Sequence, residues 1–333
     1  MRPAARKAEY QRPLNDENVE CLLCPHHCNI SDGKRGLCGV RANRGGVLYA
    51  LSYGAVSSSA MDPIEKKPLY HFKPGSSILS VGSVGCNFMC SFCQNWRISR
   101  GDLSLTEYVS PTQLLQIAVA EDSCGVAFTY NEPMIWFEYV MDCGRLLKAR
   151  GLDVVLVTNG YVESEPLDEL LTVVDAMNVD LKGGNQDFYA AFPKGDIEPV
   201  KRTIRTAREK GCHIEVTNLL VTDANDDDES IRSVVDFIAC VDVNIPIHFS
   251  RYFPCYEHES PPTPPERLMR ACEIASEKLK YVYLGNFGAS EWSDTECPNC
   301  SQTLIARSGY RTRKVGLDGD KCSRCGERIA IVP

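Results

Sequence analysis

Seven short apolar runs, rich in β-branched residues, alternate with helical segments along most of this chain. The runs span residues 78–81, 126–129, 154–158, 176–181, 214–221, 245–249 and 281–284. Ser110-Pro111, Glu132-Pro133 and Pro265 are helix-start signals that predict helices over 112–121, 134–150 and 266–280, and a further helix is expected from Ser230. Repeated strand and helix units build a parallel sheet, either doubly wound or closed into a barrel.

Polar residues at the ends of these runs favour the barrel. In a β/α barrel the chemistry lies at the carboxyl ends of the strands, around one central face. The polar groups that follow or end the runs are a cysteine loop, Thr129 to Glu132, Thr158-Asn159-Gly160, Asp180 with Lys182, Thr217-Asn218, His248 to Tyr252, and Asn286. The sequence therefore predicts an α/β fold, a partial (β/α)6 TIM-like barrel with a seventh strand added.

The cysteine loop after the first run contains Cys86, Cys90 and Cys93 in a CxxxCxxC spacing. Cysteine thiolates are the usual ligands of a four-iron cluster, so three of them leave one iron open to a small molecule. The spacing therefore predicts a [4Fe-4S] cluster with an open coordination position.

Two CxxC pairs lie near the end of the chain, Cys297 with Cys300 and Cys322 with Cys325. Such pairs can close a tetrahedral site with four sulfur ligands. We expect a structural metal in a zinc-ribbon-like module. Zinc is the first choice, and iron in a rubredoxin-like site uses the same ligands.

A third cysteine group opens the chain, with Cys21, Cys24, Cys28 and Cys38 beside His26 and His27. Four cysteines, or three with one histidine, are typical of structural zinc. An auxiliary iron–sulfur cluster fits the same residues, and both interpretations stay open, with a slight preference for zinc or another structural role. The cysteine groups divide the chain into an N-terminal cysteine-rich extension (1–74), a barrel (75–290) and a C-terminal module (291–333).

Composition limits the remaining alternatives. The net charge of −8 argues against a general nucleic-acid-binding surface. The N-terminus has no apolar signal segment, and no stretch has the length of a membrane span, so we expect a soluble, cytoplasmic protein without membrane contact. The 17 cysteines are an odd number in a long chain, which favours metal ligands over a disulfide framework.

The cysteine loop, with Phe92 before its last cysteine, resembles the cluster motif of the radical S-adenosylmethionine (SAM) superfamily. Glu132-Pro133 stands where that family has Gly-Gly-Glu-Pro, and Tyr130-Asn131 replace the two glycines. Asp180-Leu-Lys182 resembles the Asp-x-Lys of the activating enzymes. The resemblance implies that SAM is bound by residues at the strand ends, namely Glu132, Thr158, Asn159, Asp180, Lys182, Asn218 and His248.

Further motifs extend the resemblance over nearly the whole chain: the Cys-x2-Cys-Pro-x2-Cys of residues 21–28, Thr-Tyr-Asn-Glu-Pro at 129–133, the runs 215–220, 248–254 and 281–286, and the terminal four-cysteine ribbon. Together they resemble the radical SAM protein of the AmmeMemoRadiSam system, a branch close to the pyruvate formate-lyase activating enzymes. The resemblance implies reductive cleavage of SAM to a 5′-deoxyadenosyl radical, with electrons from a reductant such as flavodoxin or ferredoxin. Arg251, Tyr252 and Asn286 are candidates for substrate contacts. The substrate stays open between a glycyl radical enzyme or other protein partner and a small molecule. The alternative to an enzyme is a protein without catalytic activity, either an electron carrier or a metal-bound scaffold.

Overall fold

A computed structural model describes residues 6–288 and 290–333. The first five residues of the predicted N-terminal extension, and Ala289 near the end of the predicted barrel, lie outside the described residues. The strands are β1 (Arg6–Lys7), β2 (Gln11–Pro13), β3 (Val19–Cys21), β4 (Asn29–Ile30), β5 (Arg41–Arg44), β6 (Val47–Ala50), β7 (Ala55–Val56), β8 (Ser58–Pro63), β9 (Ser77–Gly82), β10 (Glu107–Tyr108), β11 (Gly125–Phe128), β12 (Asp153–Thr158), β13 (Ala176–Asp180), β14 (His213–Leu220), β15 (Ile247–Arg251), β16 (Val282–Gly285), β17 (Thr295–Glu296), β18 (Thr303–Ser308), β19 (Arg311–Lys314), β20 (Leu317–Asp318) and β21 (Lys321–Cys322). The α-helices are α1 (Trp96–Ser99), α2 (Pro111–Ala120), α3 (Phe137–Lys148), α4 (Ser164–Leu170), α5 (Gln186–Ala191), α6 (Ile197–Glu209), α7 (Asp228–Val241) and α8 (Pro265–Ser276).

The central sheet has eight strands in the spatial order β16-β15-β14-β13-β12-β11-β9-β8. Neighbouring strands from β9 to β16 pair in parallel, and β8 pairs antiparallel with β9. This arrangement confirms the predicted partial barrel of six strands with a seventh added. The eighth strand, β8, was not predicted, because Ser58–Pro63 is an edge strand without an apolar face, and its one fully buried residue is the polar Asp62.

The helix-start signals act as expected. Ser110 caps α2 in a reciprocal capping box with Gln113, and Pro111 occupies the first helical turn. Asp227 caps α7 by accepting a hydrogen bond from the Ser230 backbone N–H at 2.9 Å. The segment expected to be one helix from residue 134 begins instead as a 3-10 turn, Met134–Trp136, and becomes α3 at Phe137.

The two ends of the chain pack differently against the barrel. Val19, Leu23 and Leu48 from the N-terminal strands join the main hydrophobic core. The C-terminal strands form a separate core, in which Leu304 and Ile305 pack with Tyr281 and Tyr283. The domain boundaries at 74/75 and 290/291 stay predictions.

Candidate functional site

The loop after β9 brings Cys86, Cys90 and Cys93 to one cavity at the carboxyl ends of the barrel strands. The cavity has a volume of ≈ 490 Å³, within the usual range for a ligand site. Burial raises the pKa of Cys90 to about 11 and that of Cys86 well above its usual value. These thiols therefore hold their protons at neutral pH until a metal ion displaces them.

Gly85 allows this loop to pass close to the N-terminal extension. Its φ of +89° is in the region that favours glycine, and a Cβ there would lie 2.5 Å from the carbonyl oxygen of Cys38. No side chain fits between these two backbones.

Glu132 is a buried carboxylate on the wall of the same cavity. Its Oε1 accepts hydrogen bonds from the Met134 N–H at 2.9 Å and the Thr158 hydroxyl at 2.6 Å. Its Oε2 accepts from the Asn159 N–H at 2.8 Å. Burial raises the pKa of Glu132 to about 7, although these bonds favour the ionised form. The carboxylate is thus fixed in place and still has acceptor capacity for one more donor.

Asn159 connects this carboxylate to the cysteine loop. Its side-chain amide donates to Asn87 Oδ1 at 2.9 Å and lies 3.8 Å from Cys86 Sγ. Asn87 in turn donates to the carbonyl of Tyr161 at 2.8 Å. The ends of β11 and β12 therefore hold the first cysteine in a fixed position.

Asp180, the last residue of β13, and Lys182, two residues further along the chain, line the same cavity. Lys182 Nζ donates to Asp180 Oδ2 at 2.9 Å. Burial opposes the charged form of Lys182, but the negative charge of the Asp180 carboxylate, which accepts its hydrogen bond, outweighs burial and raises the pKa of Lys182. The cavity therefore offers two carboxylates, Glu132 and Asp180, and one cation, Lys182.

Asn218 and His248 lie outside the set of described residues that line this cavity. Asn218 donates to the carbonyl of Leu181 at 2.7 Å, inside the protein. His248 Nε2 contacts Glu215 Oε2 at 2.6 Å, and its ring stacks on Tyr283. In this structure both residues contact protein groups of the barrel interior.

Glu215 organises that interior. Besides His248, it accepts hydrogen bonds from the backbone N–H groups of Tyr70 at 2.9 Å and His71 at 2.7 Å, and contacts His213 Nε2 at 3.0 Å. Burial alone would raise the pKa of Glu215, but the two histidines hold it well below its usual value.

The candidate substrate contacts also bind protein groups. Arg251 donates through Nε to the Thr263 carbonyl at 2.9 Å, and the Tyr252 hydroxyl donates to the His258 carbonyl at 2.8 Å. Asn286 donates to the Ser250 hydroxyl at 3.0 Å, and Ser250 itself lines the cavity.

Other residues that line the cavity were not singled out from the sequence. Tyr130 has a φ of +71°, so it takes the backbone conformation of a glycine at a position where the related motif has one. Its hydroxyl donates to Asp62 Oδ2 at 2.8 Å, on the edge strand β8. Lys67 and Tyr310 come from outside the predicted barrel strands. The sequence could have indicated Tyr130, because it replaces a glycine of the related motif and takes that residue's left-handed backbone conformation. No sequence pattern indicates Lys67 or Tyr310.

The four C-terminal cysteines form one compact group. The sulfur atoms of Cys297, Cys300, Cys322 and Cys325 all lie within 4.8 Å of one another, with contacts of 3.5 Å for Cys297 to Cys325 and 3.7 Å for Cys300 to Cys322. A tetrahedral zinc–sulfur site has sulfur separations of about 3.8 Å. The group could hold one metal ion.

The four N-terminal cysteines line a second, smaller cavity, which also contacts Asn87 of the central loop. His27 lies outside it, with its two ring nitrogens 3.2 Å from Glu20 Oε1 and 2.9 Å from Glu163 Oε1. The structure therefore brings together the cysteines of each predicted group.

Comparison with known proteins decides the family. The uncharacterized protein MJ0808 of Methanocaldococcus jannaschii is 42% identical over 98% of this chain and 99% of its own length. The family model of the radical SAM superfamily matches residues 80–238. The chain belongs to the radical SAM superfamily. Membership implies a [4Fe-4S] cluster and SAM, and radical SAM enzymes need a reductant. Three thiols and a buried carboxylate around one cavity fit that cofactor pair.

More distant relatives include activating enzymes. The pyruvate formate-lyase-activating enzyme of Clostridium pasteurianum is 23% identical over 46% of this chain and 66% of its own length. The putative glycyl-radical enzyme activating enzyme MJ1632 of M. jannaschii is 25% identical over 62% of this chain and 79% of its own. This radical SAM enzyme is therefore related to the activating enzymes.

The fold agrees with that assignment. The crystal structure of a radical SAM methyltransferase from Sphaerobacter thermophilus superposes with a TM-score of 0.50 and 17% identity, covering 65% of this chain and 68% of the other. Among the described residues, no helix is long and apolar enough to cross a membrane.

Proposed function

We propose that this radical SAM enzyme binds a site-differentiated [4Fe-4S] cluster at Cys86, Cys90 and Cys93, cleaves SAM reductively, and abstracts a hydrogen atom from its substrate. The observation that carries the proposal is the shared cavity, in which the three thiols face the buried carboxylate of Glu132 and the Asp180–Lys182 pair. When bound, the cluster and SAM supply the radical chemistry, and the protein positions the reactants and excludes water.

The residues of the cavity have complementary roles toward SAM. Glu132 is held by Thr158 and Asn159, and its free acceptor capacity suits the amino group of SAM. Lys182 suits the SAM carboxylate, and Asp180 limits the direction in which the Lys182 ammonium points. Asn218 and His248 remain candidates for SAM contacts, and both would have to exchange their present protein partners to make them.

The direct experiment is reductive SAM cleavage. The anaerobically reconstituted protein is reduced with dithionite in the presence of SAM, and 5′-deoxyadenosine is measured. A variant in which Cys86, Cys90 and Cys93 are alanine should form none, whereas replacement of the exposed Cys240 should leave the yield unchanged. Product from the triple variant, or none from wild-type protein with an intact cluster, would overturn the proposal in favour of an electron carrier or scaffold.

A protein substrate is the second candidate. The similarity to MJ1632 and to the pyruvate formate-lyase-activating enzyme supports activation of a glycyl radical enzyme. A small-molecule substrate is the alternative, because MJ0808, which matches nearly the whole chain, is uncharacterized and specifies no substrate. The two candidates differ in electron paramagnetic resonance (EPR). A glycyl-radical signal that forms on a partner protein of the same organism only when SAM is present would support activation of a glycyl radical enzyme over a small-molecule substrate.

We also propose zinc at the C-terminal cysteines, because their sulfur separations match those of a single tetrahedral ion. One zinc per chain that survives replacement of Cys86, Cys90 and Cys93 would support it. Iron without sulfide at the same site would point to a rubredoxin-like centre instead.

A further inference from the structure

The N-terminal cysteine cavity is small, mostly apolar and close to the central loop. It has a volume of ≈ 10 Å³, against ≈ 490 Å³ for the cavity at the central cysteines, and Leu23, Ile30 and Ile135 line it together with the four cysteines. Cys21 is buried, whereas Cys24, Cys28 and Cys38 are half-buried. The four thiols therefore face one space from several sides.

Sulfur spacing separates the two kinds of metal centre that four cysteines can hold. A single zinc ion needs sulfur separations of about 3.8 Å, which the C-terminal group shows. No three of the N-terminal sulfurs, all within the part of the chain that the structure describes, lie within 4.8 Å of one another. In a cubane four-iron cluster each thiolate binds a different iron, so the four thiolates lie farther apart than around a single ion. The wider group fits a cluster rather than one ion.

The two histidines of this segment differ in their relation to the cavity. His27 lies outside it and contacts two carboxylates, from Glu20 and Glu163. His26 lines the cavity, and its Nε2 lies 2.7 Å from the Asn87 carbonyl oxygen and therefore donates to it, which leaves Nδ1 as an acceptor. The cavity therefore offers four thiols and one ring nitrogen, and the thiols alone are enough for the four irons of a cubane cluster.

Arg41 provides a second, independent indication of a bound anion. Its side chain is 1% exposed and lines the cavity, and it pairs with Glu138 at 2.8 Å. Its Nε is buried and has no hydrogen-bond partner among the described residues. A cubane with four thiolates carries net negative charge, and cluster sulfurs accept hydrogen bonds from N–H donors. Such a cluster would supply an acceptor for the Arg41 Nε–H, and a buried donor without a partner is destabilising.

We propose that Cys21, Cys24, Cys28 and Cys38 bind a second [4Fe-4S] cluster, which passes electrons to the cluster at Cys86, Cys90 and Cys93. Electron transfer to the central cluster rests on the function proposed above, whereas binding of the second cluster does not. Contact between the two loops supports the relay, because the Cys38 carbonyl packs directly on Gly85 and Asn87 lines the N-terminal cavity. Leu37, at the same cavity, is 45% exposed, so an external donor can approach this side.

The electron balance is simple. A low-potential one-electron donor of the flavodoxin or ferredoxin class reduces the N-terminal cluster core from 2+ to 1+. That electron then moves to the central cluster, and the N-terminal core returns to 2+. No proton or further reactant is consumed.

Iron and sulfide counts on the intact chain test whether the N-terminal cysteines bind a second cluster. The variant with alanine at Cys86, Cys90 and Cys93 should retain about four irons and four sulfides, with an EPR signal after dithionite reduction that SAM does not alter. The variant with alanine at the four N-terminal cysteines should retain about four irons and a signal that SAM does alter. Thermal unfolding and the C-terminal metal content check that both variants fold.

A folded triple variant that holds zinc in place of iron and sulfide, or that holds no metal at the N-terminal group, overturns the proposal. If the quadruple variant does not fold, the count for wild type decides: about eight irons per chain support a second cluster, and about four contradict it.

Electron transfer between the two clusters is tested by a separate measurement. Replacing Cys24 and Cys28 by serine should lower the ratio of 5′-deoxyadenosine formed with reduced flavodoxin to that formed with dithionite by about tenfold or more. An unchanged ratio overturns the relay. Absence of 5′-deoxyadenosine in wild type would overturn the proposed SAM cleavage and leave the iron counts to decide the second cluster.

Discussion

Replacing Glu132 by glutamine removes a charge from the SAM cavity while nearly preserving its shape. The carboxylate is 3% exposed, and both its oxygens accept hydrogen bonds from protein donors. A hydrogen bond to a charged group contributes about 1.5–3 kcal/mol, so loss of the charged acceptor should weaken SAM binding by about 10- to 150-fold. The glutamine NH₂ would also oppose one of the donors, either Asn159 N–H or the Thr158 and Met134 pair.

Equilibrium dialysis of SAM against the anaerobically reconstituted protein measures this effect. Glu121→Gln is the matched control, because Glu121 is an exposed carboxylate at the end of α2. Iron content and thermal unfolding confirm that the Glu132 variant keeps its cluster and its fold. Equal SAM affinity in wild type and Glu132→Gln, at equal iron content, would refute the assignment of Glu132 to the SAM amino group.

The pH dependence gives an independent check with a definite sign. Burial raises the pKa of Glu132 to about 7. The ionised carboxylate can accept a hydrogen bond from the SAM ammonium group directly, whereas the protonated form must first release its proton. SAM affinity should therefore fall as the pH decreases below about 7, by up to about tenfold per pH unit. Glu132→Gln should lack this inflection, whereas groups that titrate on SAM itself affect both proteins equally.

Three further predictions concern the framework of the site. Gly85→Ala should lower the free energy of unfolding, measured in urea, by about 2 kcal/mol more than Gly211→Ala, and should reduce the iron content; both glycines have positive φ, but only Gly85 would place a Cβ against neighbouring atoms. An equal loss in the two variants would show that the contact with Cys38 is unimportant. Glu215→Gln should lower the free energy of unfolding by about 2–5 kcal/mol, because a buried carboxylate with four donor partners loses its charge. The control Glu209→Gln, at an exposed position, should lower it little. Similar urea midpoints for the two variants would contradict this prediction. Removal of the C-terminal metal by a chelator should lower the melting temperature of the whole protein, since Arg307 of that module donates to the Tyr70 carbonyl at 2.8 Å; an unchanged barrel transition in near-UV circular dichroism would contradict it.

The sequence predicted the strands well and the edges of the sheet poorly. Runs such as 78–81 and 154–158 appear as β9 (Ser77–Gly82) and β12 (Asp153–Thr158), because buried parallel strands need continuous apolar, β-branched residues. The edge strand β8 contains Ser58, Ser59 and Asp62 and is held by backbone pairing, which leaves no periodic signal.

For the site, position at a strand end was informative and long-range contacts were not. Glu132 and Asp180 could be selected because polar residues that follow apolar runs meet at one rim of a barrel. The buried pair of Arg41 and Glu138 joins residues 97 apart in the sequence, and no local pattern indicates such a contact. The zinc-or-cluster alternative at the N-terminal cysteines depended on sulfur separations, which residue spacing alone does not determine.

The segment around Tyr70 and His71 is fixed from two sides, by the barrel and by the C-terminal module. Glu215 of β14 binds their backbone N–H groups, while the Val332 N–H donates to the His71 carbonyl at 2.8 Å and Arg307 lies over the Tyr70 ring at 4.2 Å. The interior around Glu215 is therefore closed by residues of the C-terminal module. A chain without that module would carry every cysteine of the central loop and still leave the Tyr70–His71 segment held from the barrel side alone, so cluster loading and closure of the interior are separate requirements for a stable protein.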